Sequence, residues 1–202
     1  MEKVKLNLMQ KLIGTKKFKV AVFISGNGSN FKNLVFESLK KKSKYEIKLV
    51  ISNKVSAKGL IHAKKFKIKK KIINYLNKKN AEKNILSELK KNKIDLICLA
   101  GFMKILSKSF IKKFKGKIMN IHPSLLPKYK GLNTHQRAIN NKEKYSGCTV
   151  HYVNSKLDSG KIILQKKVKI RKNDTAISLG KRILRYEHII YKKALKKVLT
   201  NL

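Results

Sequence analysis

Short apolar runs alternate with lysine-rich amphipathic segments along most of this chain. Apolar runs of this length predict buried strands, and apolar residues spaced three to four apart predict helices between them. The predicted strands are 19–25, 46–52, 69–74, 94–100 and 117–121. The predicted helices are 31–42, 57–66, 81–91 and 103–114. This alternation predicts an α/β fold built on a doubly wound, mostly parallel sheet.

The pattern changes after the fifth predicted strand. Residues 149–153 and 161–170 have the pattern of strands with no full helix between them, and residues 175–199 predict a final long helix. Strands joined this closely predict an antiparallel C-terminal extension of the sheet. We expect the 202 residues to divide into a lysine-rich N-terminal extension, 1–17, and a single domain, 18–202.

The formal net charge of +41 is the most unusual feature of the composition. Such a charge is typical of proteins that bind nucleic acid or anionic membranes. The basic residues are spread along the chain, however, and only four are arginines, the residue favoured for base readout. Lysine, asparagine and isoleucine share A/T-rich codons, which favours mutational drift over an evolved binding site. We therefore expect no specific nucleic-acid partner, only weak and salt-sensitive adhesion to polyanions.

The cysteines and the lengths of the apolar runs indicate the cellular compartment of the protein. Cys98 and Cys148 are the only cysteines, and their spacing is not that of a metal site. The longest apolar run, near residues 96–103, is far shorter than the roughly 20 residues of a membrane span. The N-terminal residues lack the apolar core of a signal peptide. These features predict a cytoplasmic protein with reduced thiols, no membrane partner and no bound metal.

Asn120 and His122 stand at the end of the fifth predicted strand, directly before Pro123. Side chains at i and i+2 point to the same face of a strand, so this amide and this imidazole converge on one spot. An amide can donate to a developing oxyanion, and an imidazole exchanges protons near neutral pH. The pair alone fits either a catalytic centre or a structural strand end.

Three further elements carry candidate ligand groups. A glycine-rich turn with Gly28, Ser29 and Asn30 follows the first predicted strand, where backbone N–H groups and the helix dipole favour a phosphate. An ordinary strand-to-helix turn fits the same residues. Segment 99–103 ends the fourth strand, where ligands bind in open α/β sheets. Asp158 lies in a turn that could bring a carboxylate to the amide–imidazole pair, although Asp-Ser-Gly is also a common turn.

Taken together, these motifs resemble the glycinamide ribonucleotide formyltransferases, folate-dependent enzymes of purine synthesis. The resemblance covers roughly residues 18–195, with the motifs in the family order. Segment 120–127, Asn-Ile-His-Pro-Ser-Leu-Leu-Pro, is specific to the formyltransferase superfamily, and segment 25–30, Ser-Gly-Asn-Gly-Ser-Asn, points to this member of it. The other matching segments are 51–54, 99–103, 149–151, 157–160 and 187–188. The resemblance implies a Rossmann-like formyltransferase fold.

The resemblance also assigns roles to individual residues. It implies three catalytic residues: Asn120, His122 and Asp158. It implies four residues that bind the ribonucleotide: Gly28, Ser29, Asn30 and Glu187. It implies six residues that line the folate pocket: Met103, Lys104, Ile105, Leu106, Asn154 and Leu157. The expected co-substrate is 10-formyltetrahydrofolate, no metal is expected, and the protein is expected to be a monomer or weak homodimer acting on small molecules.

Two departures from the family pattern are expected to affect binding more than chemistry. Lys104 stands where relatives often carry Arg, so folate contacts are expected to differ in strength. Residues 130–133 are Lys-Gly-Leu-Asn in place of the more usual Pro-Gly-Leu-His, which is expected to loosen that loop. Neither departure touches the three catalytic residues, so activity is expected to be retained.

Two classes of alternative remain open. Methionyl-tRNA formyltransferase shares the Asn-His-Asp chemistry but carries an added C-terminal domain, and formyltetrahydrofolate deformylase carries an extra N-terminal domain. We expect this chain to have room for neither, although its basic surface would suit tRNA. The other alternative is a polyanion-binding protein on an inactive enzyme scaffold, and the intact Asn-His-Asp set argues against it.

Overall fold

The computed structural model describes residues 17–201, which form one seven-stranded sheet flanked by helices. The strands are β1 Phe18–Ile24, β2 Tyr45–Ser52, β3 Lys69–Ile72, β4 Leu96–Leu99, β5 Lys117–His122, β6 Tyr145–Tyr152 and β7 Ile162–Lys169. The helices are α1 Ser29–Ser38, α2 Gly59–Lys65, α3 Lys78–Lys91, α4 Lys108–Lys113, α5 Thr134–Asn140 and α6 Ala176–Thr200. The predicted N-terminal extension, except for residue 17, lies outside the described residues.

The strand order is β3-β2-β1-β4-β5-β6-β7, and β1 to β5 pair in parallel as the alternation predicts. From β1 the chain runs to one side of the sheet through β2 and β3, and β4 and β5 then lie on the other side. In open α/β sheets, ligands bind beyond the carboxyl ends of the strands at this reversal. A site is therefore expected at the ends of β1, β4 and β5.

The strands β5, β6 and β7 pair antiparallel, which confirms the predicted C-terminal extension. The register places Asn120 opposite His151, and His122 opposite Thr149. Directly opposed residues of an antiparallel pair have neighbouring side chains on the same face. The pairing therefore brings a second histidine to Asn120.

Each face of the sheet carries its own core, because successive residues of β1 point to opposite faces. Val22 belongs to the core beneath α1 and α6, and Phe23 belongs to the core beneath α3 and α4. Tyr191 of α6 is fully buried, and its hydroxyl donates to the carbonyl oxygen of Leu99 over 2.8 Å. The long helix is thereby tied to the end of β4, beside the expected site.

The prediction of a helix over 103–114 is wrong for its first half, because only α4 is helical. The Met103 backbone N–H donates to the Ser25 hydroxyl over 2.8 Å, which anchors this segment to the end of β1. Ser107 caps α4 with its side chain and so marks where the helix begins. The preceding residues form an irregular loop at the carboxyl ends of the strands.

The sequence pattern does not predict α5, a helix of seven residues with little apolar periodicity. Its start depends on tertiary contacts. The Thr134 hydroxyl donates to the carbonyl oxygen of Pro123 over 2.8 Å, and Asn133 before it has a left-handed φ of 57°. The helix therefore follows from the loop that leaves β5.

Candidate active site

One cavity of about 900 Å³ opens at the carboxyl ends of β1, β4 and β5. Its wall includes every candidate site residue that the sequence indicates. These residues are Gly28, Ser29, Asn30, Met103, Lys104, Ile105, Leu106, Asn120, His122, Asn154, Leu157, Asp158 and Glu187. The fold thus brings segments from both ends of the domain to one place.

The glycine-rich turn is held by a close contact with the start of α2. Gly28 has a left-handed φ of +69°, and a Cβ there would lie 2.6 Å from the Cα of Gly59. The Gly59 N–H donates to the carbonyl oxygen of Gly26 over 2.9 Å. Gly28 is the N-cap of α1, whose first-turn N–H groups have no partner within the helix. Sequence reasoning missed Gly59, which lies far from Gly28 along the chain and meets it only in the folded structure.

Asn30 and Glu187 pair in the wall of the cavity. The Asn30 amide donates to Glu187 Oε2 over 2.7 Å, and both residues are buried. Burial raises the pKa of the Glu187 carboxyl, and the hydrogen bond from Asn30 partly offsets that rise. The Asn30 Oδ1 atom is buried with no hydrogen-bond partner among the described residues. An open acceptor beside such a carboxyl suits a ligand that brings N–H donors.

His122 is held between a backbone carbonyl and a carboxylate. Its Nε2 lies 2.9 Å from the carbonyl oxygen of Tyr129, and because that oxygen only accepts, Nε2 carries a hydrogen. Its Nδ1 lies 3.4 Å from Asp158 Oδ2, so Nδ1 is the ring nitrogen that faces the carboxylate. The Gly131 N–H donates to the same carboxylate oxygen over 2.9 Å and fixes its position. The structure thus brings Asp158 to the Asn120–His122 pair.

His151 joins these three residues, and sequence reasoning missed it as a site residue. Its Nδ1 donates to the carbonyl oxygen of Tyr152 over 2.8 Å, and burial lowers the pKa of its ring. The ring is therefore neutral near pH 7, and its Nε2 accepts a hydrogen bond from Asn120 Nδ2 over 3.3 Å. This contact orients the Asn120 amide and leaves its second N–H for a ligand. Only the β5–β6 register reveals it.

Apolar side chains line another part of the cavity. Met103 and Ile105 are each 59% exposed and Leu157 is 48% exposed, while Leu106 is buried. Exposed large apolar side chains around a concave surface are typical of a ligand-binding wall. Lys104 adds a positive charge to the same wall. The arrangement suits a flat, largely apolar ligand with an anionic tail.

Three further features of the described residues concern metal binding, membrane spans and the cysteine thiols. Within residues 17–201, no group of three or more His, Cys, Asp or Glu side chains is placed to hold a metal ion. Over the same range, no helix has the length and apolar character needed to cross a membrane. Cys98 and Cys148 are free and buried, and burial raises the pKa of each to about 12, so both remain protonated thiols.

Comparison with known proteins assigns this geometry to a family. Residues 18–195 match the sequence profile described as formyl transferase. The chain belongs to the formyl transferase family. This formyl transferase is 42% identical over 181 residues to the phosphoribosylglycinamide formyltransferase of Haemophilus influenzae, covering 88% of this chain and 85% of that protein. It is 38% identical over 175 residues to the Escherichia coli protein of the same name, covering 85% and 82%.

Longer relatives and solved structures agree with this assignment. The trifunctional purine biosynthetic protein adenosine-3 of Homo sapiens is 43% identical over 186 residues, which are 91% of this chain. The formyl transferase chain spans only 18% of the length of that relative. The crystal structure of phosphoribosylglycinamide formyltransferase from Anaplasma phagocytophilum superposes with a TM-score of 0.87 at 41% identity, covering 92% of this chain and 88% of that one. These matches confirm the resemblance and the predicted α/β fold.

Proposed function

We propose that this chain transfers the formyl group of 10-formyltetrahydrofolate to the amine of glycinamide ribonucleotide in de novo purine biosynthesis. One observation carries the proposal: a single cavity holds Asn120, His122 and Asp158 between a phosphate-type turn and an apolar wall. The relatives that are named phosphoribosylglycinamide formyltransferase, and that this chain covers over 82–85% of their length, support the same reaction.

The ribonucleotide binds along the wall formed by α1 and α6. Its phosphate lies at the Gly28–Asn30 turn, where the free N–H groups of the first turn of α1 and the helix dipole favour a dianion. Its glycinamide end lies beside Glu187 and the unpartnered Oδ1 of Asn30, which accept from the N–H groups of the ligand. These two contacts orient the amine toward His122.

The folate binds against the apolar wall. Met103, Ile105 and Leu157 cover the flat ring system, and this burial removes their exposed apolar surface from water. Lys104 and Asn154, from the loops that flank the cavity, lie at its polar edge. This placement sets the formyl group at the Asn120–His122–Asp158 centre. The folate donates the formyl group, and side chains and backbone N–H groups of this chain bind and orient both substrates and move the proton.

The central residues act on the charge that develops during transfer. When the amine adds to the formyl carbon, a C–N bond forms and the formyl oxygen becomes an oxyanion. The free N–H of the Asn120 amide, oriented by His151, donates to that oxygen. The positive charge that His122 gains when it takes the proton of the amine stabilises the same oxyanion. Because both groups are fixed before the reaction, little reorganisation is needed as the charge forms.

Transfer also moves one proton from the attacking amine to the folate nitrogen whose bond to the formyl carbon breaks. Nδ1 of His122 takes and returns this proton, directly or through water, since Nε2 stays bonded to the Tyr129 carbonyl. The Asp158 carboxylate, 3.4 Å from Nδ1, stabilises the imidazolium that forms. Each proton lost by the amine is therefore matched by one gained at the leaving nitrogen.

A two-acceptor assay tests the proposal. The purified protein is mixed with 10-formyltetrahydrofolate and either glycinamide ribonucleotide or methionyl-tRNA, and the product is identified by mass spectrometry. We expect formylation of the ribonucleotide only. Formylation of methionyl-tRNA alone, which the charge of +41 would favour, would replace the proposed acceptor. A folded protein that formylates neither would exclude the enzymatic proposal.

A matched pair of histidine variants links the activity to the cavity. His122→Ala is expected to lower turnover by at least about 100-fold, the usual effect of losing an acid–base group. His62→Ala changes a histidine of α2 outside the cavity wall and is expected to leave turnover unchanged. Equal losses in both variants would mean that the effect is on folding and not on chemistry.

We further infer that the protein acts in the cytoplasm as a monomer or weak homodimer, with no specific nucleic-acid partner, and that residues 18–202 form its single domain after an extension over 1–17. The buried, protonated thiols support a reducing compartment. Sedimentation at several protein concentrations tests the oligomeric state. A stable dimer at nanomolar concentration would contradict this inference.

A further inference from the structure

Residues 129–132, in the loop between β5 and α5, contact two of the three residues at the reaction centre. The Tyr129 carbonyl accepts from His122 Nε2 over 2.9 Å, and the Gly131 N–H donates to Asp158 Oδ2 over 2.9 Å. A shift of this segment would therefore move the partners of the histidine and of the carboxylate together. The contacts that fix the segment thus decide the geometry of the catalytic pair.

The main chain of the 129–132 segment lacks the support of regular secondary structure. Within residues 17–201, none of its N–H or carbonyl groups bonds to another main-chain group. Tyr129 has a left-handed φ of 57°, which is unfavourable for a residue with a bulky side chain. Side chains from elsewhere must therefore hold the segment in this shape.

Arg137 of α5 reaches back over the segment and bonds to it. Its Nη1 donates to the Lys130 carbonyl oxygen over 2.7 Å and to the Leu132 carbonyl oxygen over 3.4 Å. Its guanidinium carbon lies 5.2 Å from the centroid of the Tyr129 ring, a cation–π contact. One side chain thus contacts three of the four residues of the segment.

Among the described residues, three side chains bond to the main chain of the segment: those of His122, Asp158 and Arg137. The first two take part in the reaction, whereas Arg137 lies outside the cavity wall and is not placed to touch a substrate. Within residues 17–201, no carboxylate lies within 4.0 Å of its guanidinium. One planar guanidinium can serve two carbonyls, whereas the ammonium of the lysines that dominate this chain is a compact point charge.

We propose that Arg137 is a positioning residue for the formyl transfer, an inference that rests on the proposed function. By holding the segment, Arg137 keeps the Tyr129 carbonyl on Nε2 of His122. The hydrogen of the neutral ring then stays on Nε2, and Nδ1 stays free to take the proton of the amine. Without this hold, the ring hydrogen moves to Nδ1 and bonds to the Asp158 carboxylate, which removes the proton acceptor.

Long-range proton–nitrogen NMR of the histidine rings tests the inference without substrates, because it shows which ring nitrogen carries the hydrogen. In the parent, we expect the neutral His122 ring to carry its hydrogen on Nε2. In Arg137→Ala, we expect a mixture of both tautomers. Steady-state kinetics of this variant is expected to show kcat lowered by about tenfold and KM values within about twofold, because the substrate contacts remain while the reacting groups are misplaced.

Two further variants separate this role from general charge and from stability. Arg137→Lys keeps the charge without the planar donors, and we expect a smaller change of the same kind. Arg185→Ala removes an exposed arginine of α6 outside the cavity wall and is expected to match the parent. Urea unfolding checks that each variant is folded.

Three outcomes would overturn the inference: unchanged His122 signals in folded Arg137→Ala, an unchanged kcat despite altered signals, or equal changes in Arg185→Ala. A parent protein that forms no formylated product would instead contradict the proposed function. The ring spectra need no substrate, so they would still decide whether Arg137 positions His122.

Discussion

Replacing Asp158 by Asn isolates the charge of the carboxylate from its shape. The Asn side chain keeps an oxygen that accepts from the Gly131 N–H, a contact of 2.9 Å in the parent. The backbone at Asp158 has a left-handed φ of 45°, a conformation that Asn adopts as readily as Asp. We therefore expect Asp158→Asn to fold with little change in the free energy of unfolding.

The loss of turnover can be worked from the distance between the two groups. Asp158 Oδ2 and His122 Nδ1 lie 3.4 Å apart, and both side chains are less than 10% exposed. At an effective dielectric constant of about 20, unit charges at this distance interact by at most about 5 kcal/mol. A loss of about half of this interaction in the transition state lowers the rate about 100-fold. We expect a fall in kcat of that size or greater, with small changes in KM.

Steady-state kinetics with both substrates, together with urea unfolding, measures the two effects separately. Asp158→Ala is the companion variant, because it removes the acceptor for Gly131 and places a less tolerant residue in the left-handed conformation. It is expected to lose both activity and stability. If well-folded Asp158→Asn kept near-normal kcat, the carboxylate would not be stabilising the His122 imidazolium and the mechanism would be wrong.

Three further predictions concern the turn, the pH response and the charge. Gly28→Ala is expected to lower the free energy of unfolding by about 2–4 kcal/mol, from left-handed strain and the clash with Gly59, whereas Gly26→Ala meets no atom within 4 Å and should be neutral in urea unfolding. Burial lowers the pKa of His151, so the stability this histidine contributes is present above its unfolded pKa of about 6.5 and is lost as the pH falls below it. The pKa of Glu187 is raised, so protonation of Glu187 at lower pH stabilises the fold and offsets the loss from His151. The fall in Tm from pH 7.5 to 5.5 is therefore expected to be clearest in Glu187→Gln, and a constant Tm in that variant would contradict the prediction. Binding to tRNA and to random duplex DNA should be equally weak and steeply lost with salt, and tRNA-selective binding at physiological salt would refute the drift interpretation.

The sequence alone predicted the order of the seven strands and of every helix except α5, together with most of the residues that line the cavity. The apolar runs are short and the amphipathic segments are regular, so local periodicity was enough to predict a doubly wound sheet with an antiparallel extension. The i, i+2 spacing of Asn120 and His122 depends only on strand geometry, so their convergence also follows from local rules. The family motifs then indicated Asp158, Glu187 and the loop residues, which the structure places in one cavity.

Tertiary structure alone decided the features that depend on contacts between distant segments. His151 reaches Asn120 only through the β5–β6 register, and Gly59 meets Gly28 only because α1 and α2 start side by side. The segment 103–107 stays out of the helix because the Ser107 N–H, which a helix starting at Met103 would bond to the Met103 carbonyl, donates to Glu82 instead over 2.8 Å. In each case the partner lies tens of residues away along the chain, so the local spacing of residues does not predict the contact. Periodicity predicts which face of a helix or strand is apolar, whereas the strand register and the close contacts depend on the residues that pack against that face.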